Sequence, residues 1–157
     1  MPSDQYSRQQ KRFDAEFGRY STYDLPNWRQ AYIERVFSNL QIKPGDRFLD
    51  IGVGGSGYTV VEAARLGAFA YGLDISPVGM LRAHVLASQT LSDDLISRCH
   101  FVTCSAEQLP LATDSFDKIS CIHVLEHLPK HIDAMAEFSR VIRPGGTLFV
   151  TTPHTYA

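Results

Sequence analysis

Residues 48–59 read FLDIGVGGSGYT, an apolar run that breaks into glycines and then resumes with helix-forming residues. A strand that ends in glycines and feeds a helix brings bare backbone to its carboxyl end, where a ligand can approach closely. Gly52, Gly54 and Gly57 satisfy G-x-G-x-x-G, a spacing that also serves dinucleotides. Asp50 argues against that reading. A carboxylate at the mouth of the loop repels a pyrophosphate, which calls for N–H groups and a helix dipole. It suits instead a zwitterion bearing an ammonium group and a sulfonium. Alone, D-x-G-x-G leaves open that Asp50 only caps the turn. Asp74, after the next apolar run, stands where an acidic residue grips a ribose diol, one carboxylate accepting both hydroxyl protons.

Outward from this loop the chain alternates. Arg47–Ile51 reads as a strand, Tyr58–Leu66 as a helix and Ala68–Leu73 as a second strand. Pro77 opens a helix at a position where its missing N–H costs nothing, with Met80, Leu81, His84, Val85 and Ser88 expected along one face. Ser92-Asp93-Asp94 marks a loop or weak helix. Cys99–Cys104 and Phe116–Ile122 are expected as strands three and four, Pro129–Ile142 as a helix closed by Arg143-Pro144-Gly145-Gly146, and Thr147–Thr151 as strand five. Such alternation implies an α/β fold with a parallel sheet and right-handed crossovers. Before the loop, residues 3–40 read as two helices. Phe13, Phe17 and Tyr20 form one stripe, Trp28, Tyr32, Val36 and Leu40 another, with a turn at Asp24-Leu25-Pro26 between them.

At 157 residues the chain suggests one domain with a real core. A net charge of −2 supplies no basic field for nucleic acid or anionic membrane. No apolar stretch reaches membrane-spanning length and the first residues, MPSDQYSRQQKR, lack a signal-peptide core, which favours the cytoplasm. Cys99, Cys104 and Cys121 show neither C-x-x-C nor finger spacing, so neither a disulfide framework nor a zinc site is expected.

Four blocks, FLDIGVGGSGYT, YGLDIS, CSAEQLPLATDSFDKISCIHVLEHL and RVIRPGGTLFVTTP, stand in the order found in class I, seven-strand methyltransferases. Over residues 46–152 the chain resembles that family, close to its quinone-biosynthesis, small-molecule type. The resemblance implies a Rossmann-like doubly wound parallel sheet, here five strands in the order 3-2-1-4-5, with the family's last two strands missing. It implies residues 1–43 as an N-terminal helical cap and 44–157 as an incomplete cofactor-binding core. It also implies S-adenosylmethionine as cofactor, methyl transfer as the reaction and a small molecule as acceptor, with no nucleic-acid partner and no membrane span. Gly52 and Gly54 would line the methionine moiety beside Asp50, Asp74 would hold the ribose, and Ile75 would pack on the adenine. Ser105, Ala106 and Glu107 would flank the base, and the backbone of His123 would meet the cofactor's amino group. Ser105 replaces the family's usual Asp, and Ser56 its third loop glycine, with Gly57 one place later. Strand five, as an edge, invites self-association.

His123-Val-Leu-Glu126-His127 also spells H-x-x-E-H, a zinc-hydrolase motif that needs both histidines on one helix face. Here the motif opens at a strand end and Pro129 follows closely, against a continuous helix. His127 is instead the candidate general base, since histidine titrates near neutrality; simple helix capping or local packing would equally account for it. Tyr20, Tyr23 and Arg29 are candidate pocket residues, with Arg29 read as a surface charge or as a partner for the methionine carboxylate. Two other functions fit parts of the sequence. One is a non-catalytic S-adenosylmethionine-binding module acting through a partner. The other is a nicotinamide-dependent dehydrogenase, which Asp50 and the Pro-Gly-Gly block oppose.

Overall fold

A computed structural model describes residues 4–19 and 27–153. Tyr20, Tyr23 and Asp24-Leu25-Pro26 lie outside the described residues, as does the side chain of Trp28. In chain order the elements are α1 (Asp4–Phe17), α2 (Asn27–Leu40), β1 (Arg47–Ile51), α3 (Tyr58–Arg65), β2 (Phe69–Asp74), α4 (Pro77–Thr90), α5 (Asp93–Ile96) and β3 (Cys99–Thr103). They continue with β4 (Phe116–Ile122), a 3-10 turn (Leu125–His127), α6 (His131–Val141) and β5 (Ile142–Thr151). The five strands pair in the order β3-β2-β1-β4-β5, all parallel, as the alternation predicts.

β1 is central, paired Phe48↔Ala70 on one side and Phe48↔Lys118 on the other. Helices cover both faces of the sheet, so its strands read as apolar runs. Phe48 packs with Val36, Leu40, Val60, Val61, Ala64, Met80 and Ala83 on the face of α2, α3 and α4. Leu49 and Ile51 pack with Phe116, Ile119, Phe138 and Val141 on the face of α6. Asp50 shares a face with Phe48, which sets it beneath α3.

α4 departs from expectation. Its buried residues are Gly79, Met80, Ala83, Leu86 and Ala87, while Leu81, His84 and Ser88 are exposed. Small residues decide this: glycine and alanines let the helix approach the sheet closely, and the larger Leu81 stays outside at 65% exposure. The expected helix over 129–142 is shorter, because Pro129 precedes its start and Ile142 already belongs to β5.

β5 therefore begins at Ile142 rather than Thr147. The Arg143–Gly146 stretch is an irregularity within the strand, the register jumping from Phe116↔Ile142 to Lys118↔Thr147. Asp117 fastens it. This buried carboxylate accepts the Arg47 amide at 2.7 Å and pairs with the Arg143 guanidinium, joining β1, β4 and β5 at one end of the sheet.

Gly72 of β2 lies under α3, where an added Cβ would stand 2.8 Å from Val60 Cγ2 and 3.0 Å from Val53 Cγ1. Gly72→Ala is expected to lower stability by about 1–3 kcal/mol in urea denaturation, the usual scale of overpacking. A concurrent Val60→Ala change should recover part of that loss, giving less than the sum of the two single effects.

Candidate functional site

Parallel strands present their carboxyl ends on one side, and the functional residues gather there. Gly52 turns the chain out of β1 with φ 76°, its amide donating to the Leu73 carbonyl at 2.8 Å. A Cβ at Gly52 would fall 2.2 Å from Val124 Cγ2, so only glycine fits between the loop and the end of β4. Gly57, with φ 64°, takes the left-handed conformation directly before α3. The family's glycine spacing is thus displaced by one residue, and Ser56, 5% exposed, tucks into the turn.

Asp50 is buried beneath this loop. Its carboxylate accepts the Thr59 hydroxyl from α3 and the Ser120 hydroxyl from β4, the latter at 2.5 Å. Burial pushes its pKa up to about 6; the two hydroxyl hydrogen bonds oppose that shift, and nearby Asp74 adds to it. Asp74, at the end of β2, accepts the Gly54 amide on Oδ2 at 3.1 Å and the Ser76 amide on Oδ1 at 3.0 Å. Its pKa is also raised, again mainly by burial. Two loops thus point amides at one carboxylate and leave its remaining lone pairs available to a ligand.

Two cavities meet over these groups. The first, about 230 Å³, is lined by Asp74, Ile75, Cys104, Ser105, Ala106 and His127 below, and by Tyr6, Gln9, Phe13, Glu16 and Phe17 of α1. The second, about 410 Å³, is lined by Arg29, Tyr32, Asp50, Ser56, Tyr58 and Thr59. Gly52 and His123 line both, so the two form one elongated site crossing the ends of β3, β2, β1 and β4. Their volumes suit a small organic ligand.

Most residues expected at the site are brought together. Asp50, Gly52, Asp74, Ile75, Ser105, Ala106, His123 and His127 all line a cavity. Gly54 does not; it acts through its amide on Asp74. Glu107 is turned away: its carboxylate accepts the Lys130 amide at 2.8 Å ahead of α6, and of the three neighbours only Ser105 and Ala106 line the first cavity. The Ser105 hydroxyl accepts the Glu107 amide at 3.2 Å.

Arg29 belongs to the site and not to open surface. Its guanidinium stands 4.9 Å from the centre of the Tyr58 ring, and Arg29, Tyr58 and Asp50 all line the second cavity. No period or motif marks Arg29 in the sequence beyond its place on a helix preceding the sheet. His123 has φ 55°, unusual for a side chain, and its ring stacks on Tyr32, whose hydroxyl meets Thr151 Oγ1 at 3.1 Å. Glu126 lies between the histidines, 3.9 Å from His123 Nδ1 and 4.0 Å from His127 Nε2. Among the described residues no cluster of three or more His, Cys, Asp or Glu side chains is arranged to hold a metal ion.

Residues 49–150 match the methyltransferase-domain family, and the chain belongs to it. It is 32% identical over 117 residues to methyltransferase GfsG of Streptomyces halstedii, covering 74% of this chain and 41% of that protein. It is 37% identical over 111 residues to a ubiquinone biosynthesis O-methyltransferase of Xanthomonas campestris pv. campestris, covering 69% of this chain and 44% of that one. The chain thus spans less than half the length of these curated relatives. Among solved structures it superposes on the [4+2]-cyclase SpnF with a TM-score of 0.80 at 23% identity, covering 97% of this chain and 61% of that one. The geranyl diphosphate C-methyltransferase of Streptomyces coelicolor A3(2), solved with S-adenosyl-L-homocysteine, gives 0.77 at 14% identity, covering 95% and 64%. These two likenesses establish the fold.

Asp50 gives a pH signature. Between its unfolded value of 3.8 and its folded value of about 6 the native state holds a proton the unfolded chain has lost, so this group's contribution to stability falls as pH rises through that window. Asp50→Asn is therefore expected to be more stable than wild type at pH 8, by roughly 1–3 kcal/mol. The gain should close below pH 4, read by urea denaturation at both pH values.

Proposed function

We propose that the chain binds S-adenosylmethionine along the two joined cavities and transfers its methyl group to a small-molecule acceptor. The observation that carries this reading is the pair of buried carboxylates on neighbouring strand ends, with Arg29 lining the same cavity as Asp50. Asp74 would accept the ribose hydroxyls, and Ile75, Ser105 and Ala106 would flank the adenine. Asp50 would face the methionine ammonium, which holds it ionised, with the backbone of Gly52 and His123 alongside. The methionine carboxylate would meet Arg29 and the start of α3, where no side chain caps the helix. In this reading the division at residue 43/44 separates cap from core, with α1 and α2 in the cap and the sheet in the core.

Transfer is an in-line displacement. An acceptor lone pair forms the new bond to the methyl carbon while the carbon–sulfur pair returns to sulfur, leaving S-adenosylhomocysteine. The protein contributes position and exclusion of water. His127, with Glu126 beside its Nε2, would take the acceptor proton. A small acceptor accords with the names of the relatives and with a net charge of −2. No helix of the described residues is long and apolar enough to cross a membrane. Three unbridged cysteines accord with a reducing cytoplasm. The outer edge of β5 offers backbone for pairing with a second copy. The second reading, cofactor binding without methyl transfer, draws support from the cyclase that shares this fold.

Calorimetric titration with S-adenosylhomocysteine and 5′-methylthioadenosine, which lacks the amino-acid end, tests the assignments. Asp74→Ala should weaken both ligands by about 1.5–3 kcal/mol. Arg29→Met should weaken S-adenosylhomocysteine by a similar amount and leave methylthioadenosine unchanged. Equal loss for both ligands in Arg29→Met would contradict its assignment to the carboxylate, and unchanged affinity in a folded Asp74→Ala would contradict the ribose assignment. Formation of S-adenosylhomocysteine with an acceptor would rule out the reading without methyl transfer.

A further inference from the structure

α1 lies lengthwise over the first cavity. Tyr6, Gln9, Phe13, Glu16 and Phe17, spaced three and four apart, line that cavity from a single helix face. The Phe13 and Phe17 rings stack with centroids 5.5 Å apart. Phe17 rests where two glycines make room: a Cβ at Gly79 would stand 2.7 Å from its ring, and one at Gly54 3.5 Å. Polar contacts fasten the helix at two places. The Asp14 carboxylate accepts the Ser76 hydroxyl, and the Gln9 amide donates to the His127 carbonyl.

The Ser76 contact has a second face. Ser76 sits on the turn that shapes Asp74, its amide donating to Asp74 Oδ1 at 3.0 Å, while its hydroxyl also accepts the Gly79 amide at 2.9 Å to cap α4. One residue thereby connects the carboxylate assigned to the ribose with the helix that roofs the cavity. We propose that α1 is a lid latched to the ribose-binding turn through Asp14 and Ser76, so that cofactor binding and lid closure reinforce each other and the cofactor leaves only when the latch opens. This rests on the cofactor reading above. A ligand whose hydroxyls engage Asp74 holds the 74–76 turn in the geometry that Asp14 binds, and a docked α1 covers the ligand with two aromatic rings. Linkage makes the coupling reciprocal.

The test uses S-adenosylhomocysteine and this chain, with dissociation rates from surface plasmon resonance and backbone amide exchange of α1. In wild type the ligand should slow exchange across α1. Asp14→Ala should speed ligand release by about tenfold, the scale of one hydrogen bond to a charged group, and should abolish the ligand's protection of α1. Asp14→Asn, which keeps an acceptor oxygen, should restore most of the slow release. Gln9→Ala, opening the other end of the lid, should act in the same direction and serves if Asp14→Ala fails to fold. A folded Asp14→Ala protein with wild-type release and wild-type protection of α1 would overturn the latch while leaving the cofactor reading intact. Wild type that binds no S-adenosylhomocysteine would overturn both.

Discussion

Two carboxylates buried side by side at the carboxyl ends of β1 and β2 set the terms for the rest of this molecule. Neither position is favourable on its own: desolvation raises the pKa of both, and like charge adds to it, from Asp74 on Asp50 and from Asp14 on Asp74. The fold offsets that cost with directed donors. Thr59 and Ser120 serve Asp50 from α3 and β4, and the amides of Gly54 and Ser76 serve Asp74 from the loops after β1 and β2. Those donors fall into place only if β1 is central, Gly57 leads into α3 and Ser76 caps α4. The sheet order and the glycine loop are therefore prerequisites of the charge arrangement.

That arrangement leaves two buried carboxylates with no paired cation among their hydrogen-bond partners in the described residues. Asp50 sits with a pKa near 6, close enough to neutrality that a cationic ligand decides its state. On the reading proposed above, Arg29 in the same cavity as Asp50 would complete a receptor for a zwitterion, and the first cavity would take the nucleoside. A carboxylate beneath the glycine loop disfavours a pyrophosphate there.

Much of this was legible in the sequence because it rests on local signals. The glycine spacing, Asp50 and Asp74 lie within or beside strongly apolar runs, the alternation of strands and helices implies a parallel sheet, and the family resemblance implies the observed strand order. What was hidden depends on tertiary placement. The buried face of α4 follows Gly79, Ala83 and Ala87, whose small size matters only once the sheet is against them. Glu107 spends its carboxylate on the Lys130 amide, a contact across residues that no spacing announces. Arg29, open in sequence between pocket residue and surface charge, is decided by α2, which sets it over Tyr58. The irregular start of β5 hides behind a Pro-Gly-Gly stretch that reads as a loop and is held as strand by Asp117 and Arg143.

The central claim is that Asp50 meets the cationic amino end of the cofactor, and proton counting tests it most directly. Calorimetric titration of the protein with S-adenosylhomocysteine at pH 6, in two buffers of different ionisation enthalpy, reports the protons exchanged on binding. With Asp50 half protonated in the free protein, binding should release about half a proton, with little release at pH 8 and none at either pH in Asp50→Asn. Binding with no release at pH 6, or with the same release in Asp50→Asn, would contradict the pairing of Asp50 with the ligand's ammonium.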